Sequence, residues 1–483
     1  MDRSFGFSYA KIGILVLSVS CVAIYTVTST EFLALFRPNF DMTLSVERKA
    51  FVYEKMIEAL RNGPSTCAED GLYCKRPETQ HVDCGRVLEG DKTYLQTLTG
   101  DNRIPLITDP ILNMSCSAIN SRIRPRHLHF EPLKLGGTAF ARIVYTDYEF
   151  IEKQVQVSYH PQNLFCFAID KKAPREFHDN MKSLSECLPN IILLPATESY
   201  DSNGHNNNLA HYRCMKAVVS RRDWSYLMLL QNHDVITKSV YELDRIFDLL
   251  GGANDVSVSP EMKRRRTKNL KWDPKSLKMF KNESEVDAII LNSELTMASG
   301  YVQGSLSRAA VEWLTQKVDL TNYINQWNLS RYGGDEQFIP TFQMNADLGM
   351  PGHFTDECIR RGEPGAIEIT RMTHWWDGTR ESCASKTVRN EICIFGIEDF
   401  RAVAAMPSLM FNKMIPSFDY SIVECTAELI YNRTFLGQVN YDFAQDYYEN
   451  LVPIRYHKHH KEPGYVLNCT SDYERFKYQD YIN

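Results

Sequence analysis

The chain has 483 residues, 43% of them apolar and 24% charged, with 60 acidic against 54 basic side chains and a net charge of −6. This composition is too apolar for a disordered chain, and 24 glycines with 20 prolines are too few for collagen or a low-complexity linker. The acidic balance offers no basic field to hold nucleic acid.

From Ile12 to Thr30 no residue is charged, and this run of 19 residues is about what a helix needs to cross a hydrocarbon core. Arg3 and Lys11 precede it, Glu31 follows it and Arg37 is the nearest later base, so the positive-inside rule leaves a short cytoplasmic tail and sends the rest into a lumen. A cleaved signal peptide is the rival; against it, the small-residue cleavage site is poorly formed in TSTEFLALF. The organisation expected is a tail at 1–11, a transmembrane signal-anchor at 12–30 in contact with the lipid bilayer, a stem at 31–80 and a lumenal domain at 81–483. A helix is expected in the stem from Ser45 to Ala59. Of 13 cysteines, Cys21 falls in the span and twelve lie beyond residue 60, an even number suited to an oxidising compartment. Sequons at Asn113, Asn282, Asn328, Asn432 and Asn468 make a glycoprotein of the secretory route.

Beyond the stem, strand-like and helix-like stretches alternate. Ala141–Thr146 reads as a strand, Tyr148–Tyr159 as a helix, and Leu164–Asp170 as a strand ending in a carboxylate. Ile191–Pro195 reads as a short strand, His211–Val219 as a helix and Trp224–Leu230 as a buried strand. Such alternation predicts an α/β fold with a parallel core, which binds ligands at the carboxyl ends of its strands. The basic run Lys263–Arg266 reads as a solvated loop, and His457–His460, without a zinc-site context, as a surface loop.

No GxxxxGK[ST], GxGxxG or GxSxG occurs, so P-loop, dinucleotide and serine-hydrolase readings lose their motifs. A lumenal α/β protein suggests a nucleotide-sugar transferase, yet no Asp-x-Asp is present to hold a divalent metal on a diphosphate. Asp147-Tyr148-Glu149, the nearest approximation, opens a predicted helix and reads as a cap. Without a metal, fixed Arg and Lys side chains must take up the charge of a departing diphosphate, and a carboxylate must deprotonate the attacking hydroxyl.

Such residues occur in a recognisable setting. The segments VDCGRVLEGD (82–91), YHPQNLFCFAIDKK (159–172), SECLPNI (185–191), YRCMKAV (212–218) and WSYLMLLQNHDVITKS (224–239) are followed by GGDEQF (333–338), CASKTVRNEICIFG (383–396) and MFNKMIPSFD (410–419). In this order they resemble the core-2/I-branching β-1,6-N-acetylglucosaminyltransferase family, which includes the protein xylosyltransferases, over residues 80–425. The resemblance implies a GT-A-like nucleotide-sugar-binding sheet with helices on both faces, working without metal or other cofactor on a UDP-sugar donor and an O-glycan acceptor in the Golgi.

By the same resemblance Glu336 is the catalytic base, Arg389 and Lys413 hold the donor diphosphate, and Asp170, Ile143 and Tyr145 line the nucleotide. Tyr145 replaces the histidine of similar proteins. Asp335, Trp375 and Trp376 are the acceptor-side candidates, the tryptophans because aromatic faces stack on pyranose rings, with core packing as the alternative. The resemblance pairs Cys84 with Cys425, Cys116 with Cys187, Cys166 with Cys214, and Cys383 with Cys393. Cys67 and Cys74 are then paired by proximity, and Cys358 with Cys469 by elimination. The expected reaction is inverting transfer of N-acetylglucosamine to form a β-1,6 branch. Glucose or xylose as donor sugar, a non-catalytic glycan-binding ectodomain and a homodimer stay open as alternatives.

Overall fold

The computed structural model describes residues 73–482 except 125–127, 364–367, 380–381 and 471–474. The expected anchor at 12–30, the stem helix at 45–59 and Cys67 lie outside the described residues. Among the described residues no helix is long and apolar enough to cross a membrane.

Thirteen short strands occur in the described residues. In chain order they are β1 (Gly137–Val144), β2 (Leu164–Ile169), β3 (Ile191–Leu193), β4 (Trp224–Leu230), β5 (Val235–Ile236), β6 (Asp255–Val256), β7 (Ser259–Pro260) and β8 (Ala298–Ser299). They continue with β9 (Gly304–Ser307), β10 (Arg371–Met372), β11 (Val388–Arg389), β12 (Ile392–Cys393) and β13 (Met410–Phe411). The main sheet has the order β3-β2-β1-β4-β9-β6. Its first four strands run parallel, and β9 runs antiparallel to both β4 and β6.

Both faces of this sheet are covered, and period-two alternation explains how. Phe140 and Val144 of β1, Phe165 and Phe167 of β2, and Tyr226, Met228 and Leu230 of β4 point into one core. Ala139, Ala141, Cys166, Leu227 and Leu229 point into the other. The first core is closed by α1 (Tyr148–Ser158), α2 (Arg175–Cys187), α4 (Val240–Leu250) and α6 (Ser421–Phe435); the second receives α3 (Asn207–Val218) and α5 (Phe338–Met344). In α2 the buried Phe177, Met181 and Leu184 recur at helical spacing. In α4 the Ser239–Glu242 capping box starts the helix and Gly251 ends it. Strands buried on both faces read as apolar runs without polar alternation, which is why WSYLMLL was legible as a strand.

Five disulfides with both cysteines among the described residues staple the fold: Cys84–Cys425, Cys116–Cys187, Cys166–Cys214, Cys358–Cys469 and Cys383–Cys393. Four are the pairs the resemblance implies, and the fifth is the pair reached by elimination. Cys74 is also disulfide-bonded.

Three sequence expectations need correction. The stem was expected to run to residue 80, but Tyr73–Thr79 packs into the domain. Tyr73 and Thr79 both bond the fully buried Glu424, and Arg76 pairs with Glu149 and Glu78. These interlocked charges give a polar-looking segment a buried seat that composition does not disclose. His457–His459 end the helix Val452–His459 and do not form a loop. Lastly, Arg265 within the basic run is buried, for a reason that belongs to the site.

Candidate functional site

The carboxyl ends of β1, β2 and β4 meet in one polar layer. Arg142, buried within β1, donates to the backbone oxygens of Gln231, Asn232 and Asp234 and so fixes the loop after β4. Burial lowers its pKa to about 10, with Asp234 opposing the fall. Asn232 returns the contact: its side-chain oxygen accepts the N–H groups of Tyr145 and Thr146 at 2.8 and 3.3 Å. Asp170 follows β2; its N–H donates to Val144, and one carboxylate oxygen accepts the N–H of Lys172 at 2.8 Å. Ile143 is packed with Ala168, Tyr200 and Ala210 beneath this layer, whereas Tyr145 is 40% exposed.

Arg389 reaches the same layer from a hairpin. β11 and β12 pair antiparallel, and Asn390 and Glu391 both take positive φ, 53° and 63°, as a two-residue type I′ turn requires. Cys383–Cys393 clamps its base. Arg389 hydrogen-bonds the Tyr145 hydroxyl, which burial otherwise pushes toward a higher pKa. Lys413 follows β13 and is half-buried. Burial, then repulsion by Arg389 and Arg371, lowers its pKa to about 8, with Asp234 partly compensating. Two predicted phosphate-binding cations thus lie close enough to repel one another, an arrangement that favours an anion between them.

Asp234 is the hub behind these cations. Fully buried, it accepts from Gln231 N–H at 2.6 Å, the Asn412 amide at 2.6 Å and the Gln303 amide at 3.0 Å. Those two amides accept from Arg371, at 2.7 and 2.8 Å. Asp255 pins the approach to β10 by accepting the N–H of Thr370 at 2.7 Å and its hydroxyl at 2.6 Å.

Arg371 connects the cations Lys413 and Arg389 to Tyr301 and Glu336. Its guanidinium lies 4.3 Å from the centre of the Tyr301 ring and is attracted electrostatically by Glu336. Tyr301 stacks on Trp375 and accepts its indole N–H at 2.9 Å. Trp375 and Trp376 are 49% and 42% exposed, which removes core packing as their explanation. The strand-like path His374–Trp376 runs beside β12, through bonds from Cys393 to His374 and from Trp376 to Glu391. Both tryptophans therefore ride on the hairpin that carries Arg389.

Glu336 sits in a single 3₁₀ turn, Asp335–Gln337, ahead of α5. Its side chain is 39% exposed and ion-paired with Arg265, itself only 9% exposed. Asp335 is turned inward: it accepts from Asn207 at 2.8 Å, and burial raises its pKa to about 6. Two glycines make room for this geometry. A Cβ on Gly204 would stand 2.1 Å from Asp335 Oδ1, and one on Gly333 2.7 Å from the Arg265 guanidinium, both at positive φ. Asp335 is thus a support beneath Glu336, not a group exposed to an acceptor.

Residue by residue, Tyr145, Arg389, Lys413, Trp375, Trp376 and Glu336 form a connected series through Arg371 and Tyr301, while Asp170 and Ile143 lie at the adjoining strand ends. Arg265, Arg371, Tyr301, Asp234 and Asn412 were not found from sequence. One signal existed: QNHD and FNK fall within the resembling segments, but no spacing rule joins residues 178 positions apart, as Asp234 and Asn412 are. Asp147 accepts no N-terminal helix bond and faces His233 at 3.0 Å, while Glu149 turns to Arg76, so the two carboxylates do not form a pair. Among the described residues the one cluster of three potential metal-ligating side chains is Cys84, Cys425 and Glu428, and its cysteines are joined in a disulfide.

Residues 138–404 match the family model described as Core-2/I-Branching enzyme. The beta-1,3-galactosyl-O-glycosyl-glycoprotein beta-1,6-N-acetylglucosaminyltransferase 4 of Danio rerio is 26% identical over 303 residues, 60% of this chain and 68% of that protein. The corresponding enzyme 3 of Mus musculus is 23% identical over 395 residues, 77% of this chain and 88% of that protein. The chain belongs to the Core-2/I-branching enzyme family and is a glycosyltransferase.

Proposed function

We propose that this chain is an inverting transferase that moves N-acetylglucosamine from UDP-N-acetylglucosamine to a hydroxyl of an O-linked glycan, forming a β-1,6 branch without a divalent metal. Its domain would be GT-A-like, held in the Golgi membrane as a single-pass type II protein by residues 12–30. The observation that carries this reading is the line from Glu336 through Arg371 to Lys413 and Arg389: one carboxylate and a cation pair, linked across a strip of exposed aromatic rings. That the Danio rerio and Mus musculus relatives are N-acetylglucosaminyltransferases favours N-acetylglucosamine over glucose or xylose.

In this mechanism the acceptor sugar lies against Trp375 and Trp376, with its hydroxyl at Glu336. Glu336 takes the hydroxyl proton as the oxygen attacks the anomeric carbon from the face opposite UDP. The bond from that carbon to the diphosphate oxygen breaks, and its electron pair leaves on UDP. Lys413 and Arg389 stabilise the charge that develops there, as fixed cations that need no reorganisation during the step. Arg265 holds the Glu336 carboxylate in place, and Asp234 holds Asn412, next to Lys413. Tyr145 and Asp170 would take the nucleotide at the strand ends, with Ile143 packed beneath them as support.

The test is transfer from labelled UDP-N-acetylglucosamine, UDP-glucose and UDP-xylose to O-glycan and peptide acceptors by the full-length protein in detergent, with and without EDTA. Transfer of N-acetylglucosamine that persists in EDTA is the expected result. Abolition by EDTA would refute the metal-free step, and xylose transfer to peptide serine alone would refute the donor and the acceptor.

A further inference from the structure

A cavity lies apart from the residues of the proposed transfer site. It has a volume of about 590 Å³ and is bounded by residues near the helix Cys84–Glu89, by the turn 384–387 and by the C-terminal Tyr481 and Ile482. Five charged residues line it: Lys92, Arg103, Lys386, Arg401 and Glu398. Arg103 is ion-paired with both Glu398 and Asp419. Lys92, Lys386 and Arg401 have no ion-pair partner among the described residues, and all three are exposed at the cavity. In a chain where acidic residues outnumber basic ones, 60 to 54, three cations without a direct ion pair around one opening run against the overall balance. A guanidinium and two ammonium groups at one opening suit sulfate or carboxylate oxygens.

The walls say what carries the anion. Phe418, one face of which is covered by the Arg103 guanidinium at 4.5 Å, joins Val87, Leu95 and Tyr481 in an apolar and aromatic lining. The volume suits a small organic molecule and far exceeds what a bare oxyanion fills. We propose that this cavity binds an anionic saccharide, a sulfated or sialylated sugar, with its acidic group between Lys92, Lys386 and Arg401 and its ring against Phe418 and Tyr481. The turn 384–387 continues directly into β11, so the ligand rests on the same disulfide-clamped hairpin that presents Arg389.

Calorimetric titration of the full-length protein in detergent, with saturating UDP to occupy the donor site, tests this. Galactose 6-sulfate, N-acetylneuraminic acid, sodium sulfate and galactose are compared on the wild type, on Lys92→Ala/Arg401→Ala and on Arg401→Lys. Both acidic sugars should bind at least tenfold more tightly than galactose or sulfate alone. The double variant should lose at least tenfold while its UDP affinity is unchanged, and the Arg401→Lys protein should keep most of the binding. Equal binding of galactose, sulfate binding as tight as that of the sulfated sugar, or unaltered affinity in the double variant would each overturn the proposal.

Discussion

Lys413 gives the donor-binding mechanism a quantitative signature. Its pKa of about 8, against 10.5 for an ordinary lysine, arises from burial and from Arg389 and Arg371 beside it. The difference amounts to about 3 kcal/mol against the charged form in the empty site. A diphosphate between Lys413 and Arg389 supplies the opposite charge and restores the higher pKa, so binding takes up the proton that the empty site gives away. With a pKa of about 8, about nine-tenths of empty sites hold charged Lys413 at pH 7 and about one-tenth at pH 9. UDP affinity should therefore change little between pH 6.5 and 7.5 and fall by up to about tenfold per pH unit above 8. Calorimetry in buffers of different ionisation enthalpy reads this directly, as uptake of close to one proton per UDP at pH 9. The Lys413→Met protein should bind more weakly with a flat profile over the same range. The same shift acts on stability with a definite sign. Between about pH 8 and 10.5 the unfolded chain holds the Lys413 proton and the empty native protein does not, so this group makes the native state more stable as pH rises through that window. A flat affinity profile with Lys413 in place, or proton release on binding, would refute the reasoning.

The remaining predictions concern Glu336 and the frame around it. Glu336→Gln should lower kcat by about 10² to 10⁴ with UDP affinity unchanged, and full activity would remove the base assignment. Arg265→Met should cost about 10- to 100-fold in kcat through loss of the pairing that orients Glu336. Arg265→Lys should recover only part of that loss, because an ammonium lacks the guanidinium fork; equal rates in all three proteins would contradict this role. Gly204→Ala forces a Cβ to 2.1 Å from Asp335 and should destabilise the fold by about 2–4 kcal/mol, measured by urea denaturation. Replacing Cys84 and Cys425 by serine opens a loop of 341 residues, and the resulting loss should approach about 5 kcal/mol, visible as a lower Tm under non-reducing conditions.

How much of this could be read from the sequence depended on how local each cause was. Buried parallel strands announce themselves as apolar runs, so β2 and β4 were legible within a residue, whereas β1 begins four residues before the expected Ala141 because GTAF lacks that signature. Glu336, Arg389 and Lys413 could be named from their segments, each being embedded in a distinctive short stretch. Arg265 could not, since four consecutive basic residues give no sign of which one turns inward, and its partner lies 71 positions away. Asp335 looked like a partner of Glu336 in the acceptor site, and only burial beneath Gly204 shows it to be a support. At the sequon Asn328 the side-chain amide exchanges hydrogen bonds with Asn206, its oxygen accepting the Asn206 N–H at 2.9 Å and its nitrogen donating to the Asn206 side-chain oxygen at 3.0 Å, a pairing across 122 positions that the sequence does not disclose.

The most direct test is proton NMR of the product formed from UDP-N-acetylglucosamine and an O-glycan acceptor, by the wild type and by the Glu336→Gln protein. A new N-acetylglucosamine with β anomeric coupling on a 6-hydroxyl, formed by the wild type and absent with Glu336→Gln, is the expected result. An α-linked product, or the same product at the same rate from both proteins, would contradict inverting transfer with Glu336 as its base.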